Sequence, residues 1–293
     1  MKRQRVIAIV GPTASGKSAW AVRLAKEFNG VVISADSRQV YKGLNIATAK
    51  ITKSEMDGIP HYLLDVVKPT EDFDVSTYQN LVYILLKKIG SQKLPIVAGG
   101  TGLYVQAVTD GYVFSNAEPD LKLRAKLAQQ PLERSVLQLK KLAPGLEIDF
   151  KNPRRVIRAL EIVIQQGTQP AKQDPGFDTL KIGIKISPDE REKRITKRIK
   201  QMDFDGLAEE TKKLIRAKFD FTSNPLTALY YRFAKEWLEN KITKPELIEK
   251  IIRADNQYAK RQMTWFKKDR QIHWVTSYAE LKKLAKKFLA DEA

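Results

Sequence analysis

The feature that most constrains this chain is a strand, loop and helix signature near its start. Arg5 to Val10 is a short apolar, β-branched run, the pattern of a buried strand. Gly11-Pro12-Thr13-Ala14-Ser15-Gly16-Lys17-Ser18 follows and fits G-x-x-x-x-G-K-[ST] at every fixed position. Ala21, Leu24, Ala25 and Phe28 then repeat at helical spacing. A glycine loop in that setting turns several N–H groups inward, and the helix start adds partial positive charge at the same place. Lys17 is placed to meet an outer phosphate and the Ser18 hydroxyl to hold Mg²⁺. A Gly/Ser turn matching by accident would lack the flanking strand and helix. The signature predicts an α/β fold, a P-loop NTPase-like core with a parallel sheet, but it does not name the phosphate compound.

Several stretches bear on what else enters the cleft. Gly30 to Ser34 reads as a second strand ending in Ala35-Asp36-Ser37-Arg38-Gln39-Val40-Tyr41. Ligands of open α/β sheets bind outside the carboxyl ends of the strands, so Asp36 is a candidate to face the cradle. On spacing alone it serves equally as a turn residue or helix cap. Leu94 to Ala98 is a further strand and runs into Gly99-Gly100-Thr101-Gly102, where the glycines permit a close backbone approach and Thr101 offers one hydroxyl. No Asp closes that strand, so an ordinary NTP hydrolase is disfavoured. Ile59 to Val67 reads as a short strand with His61 as a structural histidine beside Pro60. Leu180 to Ile186 alternates like a strand that rejoins the sheet.

Between the third and last parts of the chain the texture changes. From about Val113 to Pro175 β-branched runs vanish and Lys, Arg, Leu, Gln and Ala dominate, so residues 113–176 are predicted to form a helical insertion in a core made of 1–112 and 177–293. Gly167 to Gly176, with Pro170, reads as the hinge back. Asn152 is a candidate N-cap and Pro153 suits the first helical position. Arg154 and Arg158 lie four apart and project together, with Arg155 beside them: a phosphate comb or a solvated basic face. A helix is predicted over Leu226 to Leu238, and Thr243 with Glu246 forms a capping box that opens another. That helix runs through Tyr258 to Lys268, where basic residues alternate with Tyr258, Trp265 and Phe266. Such a face suits stacking on unpaired bases, and equally core packing.

The balance of 52 Lys and Arg against 34 Asp and Glu gives +18, an excess that a polyanionic partner would use. Cysteine is absent and there are two histidines, which excludes a thiol nucleophile and Cys- or His-rich metal centres. No apolar run approaches the ~20 residues of a membrane span. A cytoplasmic, monomeric protein with no membrane partner is expected.

Taken in order, Gly11 to Ser18, Ser34 to Tyr41, Gly99 to Tyr104, Asn152 to Glu161 and Tyr258 to Phe266 resemble the bacterial tRNA dimethylallyltransferases, or tRNA isopentenyltransferases. The resemblance implies transfer of a dimethylallyl group from its diphosphate to N6 of the adenosine 3′ of the anticodon in a tRNA anticodon stem-loop. It implies that Gly11, Pro12, Thr13, Ala14, Ser15, Gly16, Lys17 and Ser18 hold the diphosphate, with Mg²⁺ at Ser18. Asp36 and Thr101 would be catalytic. Asp36, Ser37, Arg38, Gln39, Thr101, Arg124, Arg154, Arg155, Val156, Ile157 and Arg158 would contact the tRNA. Asn45, Ala47 and Tyr230 depart from the pattern, standing where Asp, Gly and Gly are usual. The rival reading is a P-loop kinase that phosphorylates a small molecule with ATP; a third is an RNA-binding regulator with a relic P-loop.

Overall fold

In the computed structural model, residues 3–115, 117–146, 148–167, 172–221 and 230–290 are described. The chain divides into two compact units, Met1–Thr109 with Pro175–Ala293, and Asp110–Asp174.

The larger unit begins with β1 (Gln4–Val10), α1 (Lys17–Glu27), β2 (Gly30–Ser34), α2 (Lys53–Met56), β3 (His61–Tyr62), α3 (Val75–Ile89), β4 (Leu94–Gly99) and α4 (Gly102–Thr109). The smaller unit holds α5 (Leu121–Ala128), α6 (Leu132–Leu142) and α7 (Pro153–Gln166). The chain then returns through β5 (Phe177–Ile184), α8 (Pro188–Lys200), α9 (Phe204–Arg216), α10 (Tyr231–Leu238), α11 (Lys244–Phe266), β6 (His273–Val275) and α12 (Tyr278–Ala290).

The six strands lie in the order β3-β2-β4-β1-β5-β6 and pair in parallel throughout. β1 is central. Its Val6 to Val10 are all at 0% exposure, which only a strand covered on both faces allows, and each Val or Ile side chain among them contributes about 1.5–3 kcal/mol. Alternate residues serve opposite layers. Val6, Ala8 and Val10 belong to the same core as residues of α3, α4 and α11, whereas Ile7 and Ile9 share a core with residues of α1 and α12. β2 does not neighbour β1, since β4 lies between them.

Two strands differ from their sequence reading. The run from Ile59 shortens to His61–Tyr62, because Leu63 and Asp65 adopt positive φ of 61° and 53° and break the extension. In β5 the alternation predicts an outward Lys181, yet that strand is covered on both sides. Lys181 is buried and its ammonium donates to Asp269 Oδ2 at 2.8 Å. Helix breaks are local. Asp189 to Leu214 divides into α8 and α9 because Asp203 caps the second, accepting the Gly206 N–H at 2.8 Å. Residues 226–229 of the helix read from Leu226, and Pro170 of the hinge, lie outside the described residues; α10 starts at Tyr231.

The smaller unit has its own core of Leu127, Leu139, Val156, Ala159, Leu160 and Val163. Asn152 caps α7 by accepting the Arg155 N–H at 3.3 Å, with Pro153 at the first position. On α7 the buried stripe is set by Val156, Ala159, Leu160 and Val163, while Ile164 is 45% exposed.

Candidate functional site

The loop after β1 is shaped by two glycines. Gly11 (φ 154°) and Gly16 (φ 90°) hold conformations that a side chain would strain. Gly16 is also the N-cap of α1 and offers no side-chain acceptor, so the first-turn N–H groups of α1 remain open toward an anion. Lys17 reaches back over the loop and donates to the Pro12 carbonyl at 2.7 Å. Burial pulls its ammonium down to about 8, opposed in part by the Asp36 carboxylate and reinforced by Arg198.

A cavity of about 290 Å³ opens on this loop, lined by Lys17, Ser18, Asp36, Gly100, Arg198 and Tyr258 among others. Three strand ends build it. After β2, Ala35 donates its N–H to Ala98 O at 2.9 Å, and Asp36 Oδ1 accepts the Arg38 N–H at 2.8 Å. Asp36 is thus a turn former and a cavity wall at once; the two sequence alternatives coexist. After β4, Thr101 N–H donates to Ala35 O at 3.1 Å, and Thr101 Oγ accepts the Ser37 N–H at 3.0 Å. Thr101, Ser37 and Asp36 are therefore one locked corner.

The glycines of that corner admit protein atoms. A Cβ on Gly99 would strike the Ala35 backbone, one on Gly100 the Gln262 amide, and one on Gly102 the Trp265 ring. Gln262 and Trp265 come from α11, and of the two readings of Tyr258 to Phe266 core packing holds for Trp265 and Phe266. Phe266 is buried in the core and Trp265 packs on Gly102, donating its ring N–H to Gln106 Oε1 at 2.9 Å. Tyr258 enters the cavity, where its hydroxyl interacts with Thr101 and Gln262. Burial, then the nearby Asp36 charge, push that phenol up to about 12. Lys260, Arg261, Lys267 and Lys268 are exposed.

Sequence reasoning missed three residues here. Gln262 is buried, accepts the Thr13 N–H at 2.7 Å and donates to Gly100 O at 3.0 Å, joining the two glycine loops. Arg198 donates to Thr13 Oγ at 3.1 Å and pairs with Asp255. Asp255 also accepts the Tyr230 hydroxyl at 2.7 Å. Asp255, Tyr258 and Gln262 recur at three- and four-residue spacing, so a polar stripe on an otherwise core-facing helix was the available signal.

The departures from the pattern have local roles. Tyr230 fills the cavity wall through that bond to Asp255. Glu210 accepts the Asn45 and Ile46 N–H groups at 2.9 and 3.0 Å and the Tyr231 hydroxyl at 2.7 Å, fixing the turn that contains Asn45 and buried Ala47. Gln39 donates to Thr48 O at 3.3 Å and Ala49 O at 3.2 Å, which holds the same turn against the cavity.

The comb residues belong to the smaller unit and separate into two kinds. Arg154 and Arg155 are exposed. Arg158 instead pairs with Glu161 and donates to Ala117 O at 2.9 Å, while Arg124 grips Glu161 from the other side at 2.9 and 2.8 Å. Burial alone would raise the Glu161 carboxyl, but the two guanidiniums and the Asp120 N–H hold it at about 2. Val156 has 0% exposure, so its side chain belongs to the core and cannot face RNA; Ile157 is half-buried. His61 is structural, its Nδ1 lying 2.8 Å from Ile59 O.

Among the described residues no helix is long and apolar enough to cross a membrane, and no three His, Cys, Asp or Glu converge as a metal cluster. A family model described as IPP transferase matches residues 39–269. A tRNA dimethylallyltransferase of Halothermothrix orenii is 38% identical, with 98% of this chain and 94% of that one covered. One from Pelotomaculum thermopropionicum is 35% identical over 97% and 95%. The crystal structure of a tRNA isopentenylpyrophosphate transferase from Bacillus halodurans matches with TM-score 0.70 at 35% identity, covering 98% of this chain and 95% of that one. A eukaryotic dimethylallyltransferase solved acting on tRNA gives TM-score 0.78 at 25% identity over 99% and 80%.

Proposed function

Because the chain belongs to the tRNA dimethylallyltransferase (IPP transferase) family and is a prenyltransferase, we propose that it moves the dimethylallyl group of dimethylallyl diphosphate onto N6 of the adenosine 3′ of the anticodon. The observation that carries this reading is that Asp36 and Lys17 line one cavity, so that a carboxylate and a phosphate loop share the same space.

In the reaction the allylic C1–O bond breaks, a C1–N6 bond forms, and diphosphate departs with the electron pair of the broken bond. Lys17 and the loop amides stabilise the charge that collects on the diphosphate, and they are fixed before reaction, which is where such stabilisation is largest. Adenine N6 is a weak nucleophile because its lone pair is delocalised into the ring. Asp36 accepts a hydrogen bond from the amine, orients it, and takes the proton that N6 must lose; such general-base terms contribute ~10²–10⁴-fold. Thr101 steadies the loop that carries Asp36. The base must leave its stack to reach the corner, and an anticodon loop makes that easier than a duplex.

The donor set also suits Mg²⁺. This ion keeps several waters and takes one or two protein groups beside phosphate oxygens, so a sparse site is what it needs. Ser18 Oγ would be the protein ligand, the phosphates and water supplying the rest. When bound, Mg²⁺ would neutralise charge on the leaving diphosphate.

Arg154 and Arg155 of the smaller unit, and the exposed Lys and Arg of α11, supply cations for tRNA phosphates. A kinase using ATP explains the loop, but draws no support from the relatives found. Incubation of the protein with tRNA and isotope-labelled dimethylallyl diphosphate, followed by nuclease digestion and mass spectrometry, tests the proposal. Labelled N6-isopentenyladenosine at the position 3′ of the anticodon is the expected product. Unmodified tRNA, with ATP consumed in a metabolite screen, would reverse it.

A further inference from the structure

The cavity wall beside Thr13 carries a charged cluster that the proposed reaction leaves unused. Arg198 of α8 donates to the Thr13 hydroxyl at 3.1 Å and pairs with Oδ2 of Asp255 from α11. The other oxygen of Asp255 accepts the Tyr230 hydroxyl at 2.7 Å. All three residues line the cavity. Tyr230 and Asp255 are 5% and 6% exposed, whereas the Arg198 side chain is 32% exposed. A buried pair thus holds a cation that reaches open space.

A guanidinium has five N–H donors in a fixed fork. Thr13 and Asp255 take one each, and Nε finds no acceptor in the protein. The Lys17 ammonium lines the same cavity, and Arg198 is near enough to lower its pKa. Two cations that repel each other at one cavity, one of them with donors to spare, are offset by a bound anion. A carboxylate that only neutralised Arg198 would need no second tether. Tyr230 supplies one, at a position where the family pattern has Gly, which has no side chain to offer. Its hydroxyl holds one oxygen of Asp255, so the other stays turned to Arg198.

We infer that Tyr230 and Asp255 are positioning residues for the transfer: Asp255, held by the Tyr230 hydroxyl, fixes the Arg198 guanidinium against Thr13 so that its unused N–H groups meet the departing diphosphate. Neither residue touches the reacting atoms. Both act through Arg198, whose charge-assisted bonds strengthen as the C1–O bond breaks and its electron pair moves onto the diphosphate. A donor fixed in place before reaction is worth more than one that must be ordered during it. Substitution at either position therefore costs orientation of Arg198 rather than charge. This rests on the reading of the cavity as a diphosphate-donor site.

Calorimetric titration of the full chain with inorganic pyrophosphate in excess Mg²⁺ tests this, because pyrophosphate carries the full charge of the departed group. Asp255→Asn removes a negative charge from the wall of an anion site, so electrostatics alone would tighten binding. The opposite is expected: pyrophosphate bound about tenfold more weakly, the worth of one hydrogen bond to a charged group. Tyr230→Phe leaves the net charge unchanged and should weaken binding severalfold. In an Arg198→Ala background neither substitution should have any further effect. Tighter binding by Asp255→Asn, or undiminished affinity in Tyr230→Phe, overturns the inference. So does a loss of the same size with and without Arg198. A pair that merely braced α8 against α11 would lower the unfolding temperature and leave the affinity of the folded protein alone. Should one variant fail to fold, the other and its Arg198→Ala double variant still decide. Dimethylallyl transfer to tRNA, assayed on the same wild-type sample, separates the two readings. Transfer with affinities that neither substitution moves removes the positioning role alone. No transfer, with affinities that move as expected, removes the donor assignment alone.

Discussion

Thr101 Oγ accepts the Ser37 N–H at 3.0 Å, so the loop after β4 holds the loop that carries Asp36. Replacing Thr101 by Val keeps the volume and removes the acceptor, leaving that N–H unpaired at a cost of about 1–3 kcal/mol. Thr101→Val is expected to lower kcat about ten- to a hundredfold while pyrophosphate affinity stays near wild type, because the cradle itself is untouched. Asp36→Asn should be more severe, by ~10²–10⁴-fold in turnover, with tRNA binding intact. Single-turnover transfer assays beside equilibrium tRNA binding check both. Full turnover by Asp36→Asn would take Asp36 out of the mechanism.

Gly100 is required by its neighbour rather than by its backbone angles. A methyl group at this position overlaps the Gln262 amide, which is buried and held at both ends. Gly100→Ala should therefore cost about 1–3 kcal/mol, as overpacking does, and loosen Thr13 along with Gly100. Gly43→Ala is a useful control: nothing lies within 4 Å of a Cβ there, so its penalty comes from the φ of 74° alone. Thermal unfolding of both variants, with pyrophosphate titration, separates them; a Gly100→Ala protein that binds pyrophosphate normally would show that Gln262 has room to move.

What could be read from the sequence was what depends on local spacing. Gly11 to Ser18 needs only a strand before it and a helix after it, and both are visible as hydrophobic periodicity. The Thr243 capping box and the Asn152-Pro153 helix start are equally local, and both form. Partners chosen by tertiary contact were not legible. Gln262 meets Thr13 across 249 positions of sequence and Arg198 meets Asp255 across 57. The spacing of Asp255, Tyr258 and Gln262 marks a polar stripe on a helix, but not what that stripe faces. The aromatic residues of Tyr258 to Phe266 left two readings open for a related reason: periodicity gives a helix face but not what covers it, and here Trp265 packs on Gly102 of α4 while Phe266 lies in the core.

The arginines of α7 should behave differently from one another. Arg154 and Arg155 are exposed, and Arg158 is half-buried against Glu161 and Ala117 O. Arg154→Ala with Arg155→Ala is expected to weaken tRNA binding and to flatten the log Kd against log salt slope by about 0.7–0.9 for each phosphate no longer neutralised. Unfolding temperature should fall less than it does for Arg158→Ala. Arg158→Ala should show the converse, a loss of stability first. An unaltered salt slope in the double variant would remove the exposed pair from the RNA interface.

Glu161 lets the smaller unit be tested by acid. Its carboxyl titrates at about 2, against 4.5 in an unstructured chain, because Arg124 and Arg158 outweigh the effect of burial. Below 4.5 the unfolded chain takes up a proton that the folded unit refuses. The stabilisation is thus complete above pH 4.5 and is lost as pH falls from there toward 2. Glu161→Gln should mimic this loss at neutral pH. Removing one partner of a buried pair costs about 3–5 kcal/mol, and the value here should sit at the low end because both guanidiniums are about one-third exposed. Hydrogen exchange of the Leu160 and Val163 amides, corrected for intrinsic rates, reports on α7 without interference from the larger unit. Protection should fall between pH 4.5 and 3 in the wild type, and be low and nearly flat with pH in Glu161→Gln. Equal protection in the two proteins at pH 7 would mean that the core of Leu139, Val156 and Leu160 holds this unit together without the clamp.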